Sequence, residues 1–241
     1  MNNIKNNTII SNKEISKVIC FTLKICIVAI VFLTVIIGSI KATADGYSNW
    51  ITRLLYYTSQ SNIWIGVSTL LVLLFNKNDN IKNVLYRVKY CFTSCIVMTA
   101  TVFYLFLAPF AKGIINIWSP YSVLFHGVVP LFAFLDFILD NYKPTLNLKD
   151  VVNCMIPPLV YFSVAIILCY IKTDFGLGTP YPYLFLDVYS PAGMFGAVIK
   201  PYFWPGTFYW IIFFGGIMFL IELFLMKINN KLKRRENNPV H

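Results

Sequence analysis

The chain has 241 residues, of which 58% are hydrophobic and only 12% charged, with a net charge of +10 at pH 7. A soluble domain carries about a quarter charged residues, so this chain has too few charges to cover a surface that faces water. The composition therefore predicts a polytopic membrane protein. Its apolar runs are continuous, which excludes a transmembrane β-barrel, because barrel strands alternate apolar and polar residues.

Six apolar runs are long enough to cross a bilayer as helices, which takes about 20 residues. In chain order they cover residues 18–40, 53–75, 90–110, 118–139, 151–171 and 208–228. We predict an all-α membrane protein in which one domain, residues 1–241, forms a bundle of six transmembrane helices. Residues 1–16, which include five asparagines, are expected to form a loosely ordered cytoplasmic segment, and residues 229–241 a basic cytoplasmic tail.

Lysine and arginine are distributed unequally between the two sides of the predicted bundle. Fourteen lie in the two ends and the even-numbered connections, and five in the odd-numbered connections. By the positive-inside rule, both termini are expected in the cytoplasm and the protein in the plasma membrane. The net positive charge needs no nucleic-acid partner to explain it, and the basic tail is expected to contact anionic lipids. The oligomeric state stays open.

The last connection, residues 172–206, is unusually rich in turn-forming and aromatic residues. It holds five of the twelve prolines, five of the twelve glycines and nine aromatic side chains. Such a segment cannot continue as one helix, and it is too apolar to extend into water. We expect it to fold back over the outer end of the bundle. An aromatic belt at the membrane interface is the alternative for its tyrosines.

The second predicted helix contains a polar patch, "YYTSQSN" at residues 56–62. Thr58 is expected about 13–15 Å below the outer helix end, and Asn62 shares its helix face. Serine and threonine hydroxyls can bond to the carbonyl one turn earlier. The amides of Gln60 and Asn62 cannot, so they need partners inside the bundle or a polar cavity.

The fourth predicted helix contains His126, in "FHGVVPL" at residues 125–131. It is expected about 12 Å inside the same end of the bundle, which is a depth comparable to that of Thr58. Gly127 and Pro130 loosen the helix there and free backbone groups, as is common near membrane-protein sites. A structural hydrogen bond between helices is the alternative reading of this histidine.

Two acids are expected nearer the cytoplasmic side. Asp136 is expected to pair with a lysine, for which Lys24 is the candidate, and Glu222 with the basic tail; a proton relay through either acid is an alternative. All cysteines lie within or at the ends of the predicted spans, where burial as free thiols is their common fate; they are Cys20, Cys26, Cys91, Cys95, Cys154 and Cys169. No disulfide, metal site or cofactor is expected.

Three segments, "YYTSQSN" (56–62), "FHGVVPL" (125–131) and "YPYLFLDV" (181–188), resemble those of the androgen-induced and androgen-dependent TFPI-regulating proteins. The chain is more similar still to the bacterial six-helix relatives of that family. Its animal members are multipass hydrolases that use a threonine nucleophile and a histidine on lipid esters whose branch point carries the acyl group. The resemblance implies that Thr58 is the nucleophile and His126 the histidine of a bacterial membrane enzyme.

These observations lead to two functional hypotheses. In the first, the protein hydrolyses lipid (fatty-acyl) esters within the membrane: Thr58 attacks the acyl carbon, His126 removes its proton, and Asp187 fixes the tautomer of His126. The side chains expected to bind the substrate or stabilise its developing oxyanion are Ser59, Gln60, Asn62, Tyr183 and Asp187. In the second, the polar groups line the cavity of a non-enzymatic protein that binds or transports lipids or small molecules.

Overall fold

The computed structural model describes residues 2–75, 79–110, 117–176, 178–200 and 203–237. The α-helices are α1 (Asn2–Ile40), α2 (Trp50–Leu54), α3 (Tyr57–Phe75), α4 (Asp79–Val102), α5 (Ala108–Phe110), α6 (Pro120–Val123), α7 (Val129–Leu139), α8 (Leu148–Cys154), α9 (Ile156–Tyr170) and α10 (Thr207–Asn237). Two π-helical segments, π1 (Phe103–Leu107) and π2 (Leu124–Val128), and a 3₁₀ turn, Leu184–Leu186, complete the helical structure. The short strands β1 (Ala197–Val198) and β2 (Trp204–Pro205) pair antiparallel.

The structure confirms the predicted all-α bundle with six spans. The helices long and apolar enough to cross a membrane are Glu14–Ile40, Tyr57–Phe75, Asp79–Leu107, Pro120–Leu139, Leu148–Tyr170 and Thr207–Arg235. Because the number of spans is even, both chain termini lie at one end of the bundle, which we call the terminal face. The opposite end, which carries the connections 41–56 and 171–206, is called the loop face.

The two chain ends are more helical than expected. Helix α1 begins at Asn2 and so extends through the segment 1–16, ahead of the apolar run that predicted the first span. The sequence contains no proline or glycine between Asn2 and Gly38, and therefore nothing in it interrupts the helical hydrogen bonds. The basic tail continues α10 as far as Asn237, and its residues 238–241 lie outside the described part of the chain.

The second span is interrupted where a continuous helix was expected. Helix α2 ends at Leu54 and α3 begins at Tyr57. Between them, the hydroxyl of Tyr56 donates to the backbone oxygen of Phe175, 3.0 Å away. Arg53, just before the break, forms an ion pair with Asp45. These contacts with other segments override the helical preference of the run. As a result, Thr58 lies in the first turn of α3.

Helix α4 is the centre of the bundle. It contacts α3 and α7 on one side and α8 and α10 on the other, while α1 packs against α3 and α7. The approach of α1 to α3 depends on Gly66, because a Cβ atom there would lie 2.8 Å from Cγ1 of Val31. Small residues of this kind allow close helix packing in membranes.

The connection 172–206 folds back onto the bundle, as predicted, in the part that the structure describes. Phe175 and Leu186 are fully buried, and the ring of Phe185 packs on Phe214 of α10 at a centroid distance of 4.6 Å. Gly176 has a φ of +120°, and a Cβ there would lie 2.9 Å from the carbonyl oxygen of Gly46. Only glycine fits this contact between the two loop-face connections.

Four charged side chains connect α1, α4 and α7 in the half of the bundle nearer the terminal face, and Lys24, Lys89 and Asp136 among them are buried. Lys24 lies 2.6 Å from a carboxylate oxygen of Asp136, which confirms the predicted pair. Lys89 of α4 lies 2.5 Å from the other oxygen of Asp136. Asp140, one turn further along α7, lies 3.2 Å from each lysine. The cluster is electrically neutral, and each charge has an opposite partner, as burial in a membrane requires.

Replacing Asp136 with asparagine should destabilise the protein strongly. Two buried lysines would then share Asp140 alone, and breaking a buried ion pair costs about 3–5 kcal/mol. The measurement is unfolding of the detergent-solubilised variant by heat or by added denaturing detergent. The matched control is Asp79→Asn, because Asp79 pairs with Lys82 at 3.4 Å on the surface and exposed pairs contribute little. Equal stability of the two variants would contradict a stabilising role for the cluster.

Candidate functional site

Thr58 and His126, expected at similar depth from the sequence, are in contact. The Thr58 hydroxyl oxygen (Oγ1) lies 3.3 Å from Nε2 of His126. Thr58 is held in the first turn of α3 and His126 in π2, so two separate spans contribute the pair. Both side chains are buried. The contact lies toward the loop face of the bundle.

The second ring nitrogen of His126 determines what the first can do. Nδ1 lies 3.0 Å from the backbone oxygen of Ser122, and because a carbonyl oxygen only accepts, Nδ1 must carry the proton. In the neutral ring, Nε2 is then an acceptor, and it accepts a hydrogen bond from the hydroxyl of Thr58. This is the arrangement of a base ready to activate a nucleophile.

Asp187 makes a different contact from the one expected of it. The tautomer of His126 is fixed by the carbonyl of Ser122, one helical turn earlier. The carboxylate of Asp187 instead accepts a hydrogen bond from the backbone nitrogen of Tyr189, at 2.9 Å, within its own loop. A carboxylate two residues from a backbone N–H forms such a local turn readily, so this residue stabilises the loop.

Tyr183, in the folded-back connection, is the third group at the site. Its hydroxyl oxygen lies 3.4 Å from Oγ1 of Thr58 and accepts from the backbone N–H of Thr58 at 3.3 Å. Burial raises the pKa of Tyr183 to about 12, so the phenol keeps its proton at neutral pH. The Tyr183 oxygen accepts from the backbone N–H of Thr58, so the Tyr183 hydroxyl proton is free to be donated to Oγ1 of Thr58 or to a substrate oxygen bound beside it.

Two irregular helical segments shape the surroundings of His126. Pro130 has no N–H to donate to the carbonyl of His126, and the chain forms the π-helical turn π2 there. The adjacent segment π1 supplies Phe103, whose ring stacks on the imidazole at 3.7 Å. A Cβ at Gly127 would lie 3.0 Å from the hydroxyl of Tyr104, so glycine permits this approach. Such π-helical turns are frequent at functional sites.

Asn62 holds the two halves of the site together. Its side-chain nitrogen donates to the backbone oxygen of Thr58 at 2.8 Å and to that of Phe125 at 3.2 Å. Thr58 lies one turn before it in α3, and Phe125 is the neighbour of His126 in π2. One fully buried amide therefore fixes the distance between the segments that carry the hydroxyl and the imidazole.

Two other polar residues of the patch face elsewhere. The Ser59 hydroxyl donates to the backbone oxygen of Arg53 at 2.9 Å and contacts the Tyr121 hydroxyl at 3.1 Å, with no base beside it. Gln60 lies in a groove between α3 and α9 that is otherwise lined by apolar and aromatic residues. Ser59, Gln60 and Asn62, expected to donate to an oxyanion at Thr58, are therefore directed to other partners or surfaces.

A small apolar cavity, with about 40 Å³ of space for water-sized groups, adjoins the site. Thr58 and Tyr183 are among its few polar lining residues, whereas His126 lies behind Thr58 and does not line it. Lining residue Leu159 of α9 is 49% exposed, so the cavity borders the lipid-facing surface. Met218 of α10 closes the end away from the loop face, and the remaining wall includes Tyr57, Met98, Val102, Met155, Phe162 and Phe214.

Three residues of the site were not predicted from the sequence. The contact with Ser122 could have been predicted, since a histidine in a helix can donate to the backbone carbonyl four residues earlier. Phe103 and Tyr121 left no signal, because both lie among many aromatic residues and only the packing of the helices selects them.

Fold and site together define a multipass membrane protein with a buried Thr–His–Tyr cluster at one end of an apolar cavity. Comparison of the chain with models of protein families, with curated proteins and with solved structures finds no match. In the described residues, no group of three or more histidine, cysteine or acidic side chains is arranged to hold a metal ion. The function must therefore be argued from the geometry of the site.

Replacing Asn62 with leucine should lower stability by about 1–3 kcal/mol, because two buried carbonyl groups lose a donor. Thermal unfolding of the detergent-solubilised protein measures this loss. The control is Gln60→Leu on the same helix, since the Gln60 side chain makes no hydrogen bond among the described residues and faces an apolar groove. A larger loss for Gln60→Leu than for Asn62→Leu would contradict the bridging role of Asn62.

Proposed function

We propose that the protein is an intramembrane hydrolase of lipid (fatty-acyl) esters in which Thr58 is the nucleophile and His126 its base. The observation that carries the proposal is the 3.3 Å contact between Oγ1 of Thr58 and the unprotonated Nε2 of His126. The resemblance of three segments to a family of membrane threonine hydrolases supports it independently. Ser59 is the weaker candidate nucleophile, because its hydroxyl has a carbonyl and a phenol beside it and no base.

In the acylation step, His126 Nε2 takes the hydroxyl proton while Oγ1 of Thr58 attacks the ester carbon. The carbonyl oxygen becomes an oxyanion. The Tyr183 hydroxyl lies 3.4 Å from Oγ1 and accepts from the backbone N–H of Thr58, so its own proton is available to stabilise that charge. Thr58 also lies in the first turn of α3, where unpaired N–H groups and the helix dipole favour negative charge.

Collapse of the tetrahedral intermediate breaks the bond to the alcohol, and the proton on Nε2 of His126 passes to the leaving oxygen. Thr58 is then acylated. In the second half of the reaction, His126 removes a proton from water, which attacks the acyl carbon. The fatty acid leaves and the Thr58 hydroxyl is restored. The Nδ1–H bond to Ser122 keeps the ring oriented through both steps.

The apolar cavity is suited to the acyl chain of an amphiphilic ester. Ligand-binding pockets are lined mostly by hydrophobic and aromatic side chains, as this cavity is. With Thr58 and Tyr183 near one end, the ester group would lie at the cluster while the chain extends toward Met218. Entry from the bilayer between α9 and α10, beside the exposed Leu159, would spare the chain a passage through water.

The distribution of basic residues supports an orientation in which both termini are cytoplasmic and the loop face is outside. The substrate would then be a lipid of the outer leaflet of a bacterial cytoplasmic membrane. The basic end of α10, with Lys231, Arg234 and Arg235, would contact anionic headgroups of the inner leaflet.

A second candidate function is non-enzymatic binding or transport of a lipid or small molecule. The observation that favours it is the cavity itself, whose wall is almost entirely apolar and therefore suits a ligand that is held without reaction. In that case the Thr58–His126 contact is a structural hydrogen bond between helices. The two functions differ in whether Thr58 is chemically reactive.

If Thr58 and His126 act as a unit, Thr58→Val and His126→Phe should each abolish turnover of long-chain acyl esters by the purified protein. The double variant should lose little more, because groups in one proton-transfer chain are strongly non-additive. Thr58→Ser should keep partial activity, since the hydroxyl remains while the methyl group that restricts its rotamer is lost. Hydrolysis of a panel of acyl esters in detergent micelles is the measurement.

Ser59→Ala is the matched control, and it should retain most of the activity. Loss of turnover in Ser59→Ala with full activity in Thr58→Val would transfer the nucleophile to Ser59. If a hydrolase-directed phosphonate probe labels neither residue and no ester is turned over, the binding function replaces the enzymatic one.

Tags placed at the N-terminus and the C-terminus should both be reached only from the cytoplasmic side, because the basic residues concentrate at the terminal face. A tag inserted in the connection 172–206 should be reached only from outside. Protease or antibody access in intact cells and in inverted membrane vesicles measures this. Terminal tags accessible in intact cells would reverse the orientation and place the proposed substrate in the inner leaflet.

A further inference from the structure

Glu222 of α10 is a carboxylic acid buried in the bundle without a polar partner. Its exposed fraction is zero, and neither carboxyl oxygen has a hydrogen-bond partner among the described residues. The Tyr90 hydroxyl, 2.8 Å away, donates to the backbone oxygen of Glu222 and not to its side chain. The expectation that the basic tail pairs with Glu222 is wrong for the described lysines and arginines, none of which forms an ion pair with it.

The groups that face Glu222 do not supply a positive charge. The titratable groups near it include Tyr57 of α3 and Tyr90, Cys91 and Cys95 of α4. All four are neutral acids, which cannot compensate a carboxylate by charge. From α8, Cys154 packs in the same apolar cluster as Leu225, one turn further along α10.

The charged groups on neighbouring helices already have partners. Asp150 of α8 pairs with Arg87, and Asp136 of α7 pairs with Lys24 and Lys89. Asp136 is the instructive comparison, because it is as deeply buried as Glu222. The two carboxyl groups are equally buried, but only Asp136 has lysines beside it among the described residues.

An isolated carboxylate in an apolar interior is strongly disfavoured, and a group in that situation takes up a proton instead. We propose that Glu222 is a proton-binding site, a carboxylic acid held in its protonated form in the core of the bundle. Asp136 is held as a carboxylate by its two lysines. The inference is independent of the proposed hydrolase, because it uses no residue of the Thr58–His126 cluster.

The position of Glu222 makes its protonation state accessible to a chemical probe. It lies one helical turn beyond Met218, which lines the apolar cavity. A hydrophobic carbodiimide partitions into detergent or lipid and can approach the bundle from its lipid-facing side, whereas a charged, water-soluble one stays in the aqueous phase. The carboxyl O–H adds across one C=N bond of the reagent: oxygen bonds to the central carbon and the proton passes to nitrogen. The acyl group then migrates from oxygen to the other nitrogen and leaves a stable N-acylurea, with no leaving group.

The test is to treat the detergent-solubilised, folded protein with dicyclohexylcarbodiimide at neutral pH and to map the adduct by peptide mass spectrometry. We expect modification of Glu222, no modification of Asp136, and loss of the adduct in Glu222→Gln. The labelling should also be lost progressively as the pH is raised. The water-soluble carbodiimide should leave Glu222 unmodified in the folded protein.

Protein unfolded in dodecyl sulfate at acidic pH is the control for detection, because both carboxyl groups are then protonated and accessible. Adduct on Glu222 in the unfolded protein but not in the folded protein overturns the proposal. Equal labelling of Glu222 and Asp136 in the folded protein overturns it as well, since pairing would then make no difference. Both overturning results are read on the wild-type protein, so they stand whether or not Glu222→Gln folds.

Discussion

A polar group in the hydrocarbon region of a membrane has no water to bond, so its partner must come from another part of the chain. This constraint sets the positions of the helices. Asp136 brings α1 and α4 to α7 through two lysines, and Asn62 brings α3 to π2 through two carbonyl groups. Apolar packing alone discriminates weakly between arrangements in lipid, because the lipid is as apolar as the helix surface.

The site forms where the helices are irregular. The break before Tyr57 places Thr58 in a first helical turn, where its backbone N–H can reach the Tyr183 hydroxyl. His126 lies in the π-helical turn π2, which comes just before Pro130. Regular helices satisfy their own backbone groups, so a hydroxyl, an imidazole and a backbone N–H that donates to a side chain converge only where that regularity is given up.

The polar groups of the site form one small cluster, Thr58, His126 and Tyr183, surrounded by apolar residues. Phe103 covers one face of the imidazole at 3.7 Å, and the cavity beside Thr58 is almost wholly apolar. In such surroundings a hydrogen bond is electrostatically stronger than in water, and an unpaired polar atom costs more. The same physics explains why Thr58 and His126 are paired and why the unpaired carboxyl of Glu222 must be neutral.

The sequence by itself determined the six spans, because hydrophobic length is a local property that a bilayer tests directly. It also indicated Thr58 and His126, because a residue's depth follows from its distance along a helix, and it indicated the pairing of Asp136 with Lys24. The tertiary structure decided the rest. Asp187 turned out to bond within its own loop and Gln60 to face a groove, because the direction in which a side chain points depends on helix rotation. That rotation is set by contacts between distant segments, such as Tyr56 with Phe175, which no local pattern encodes.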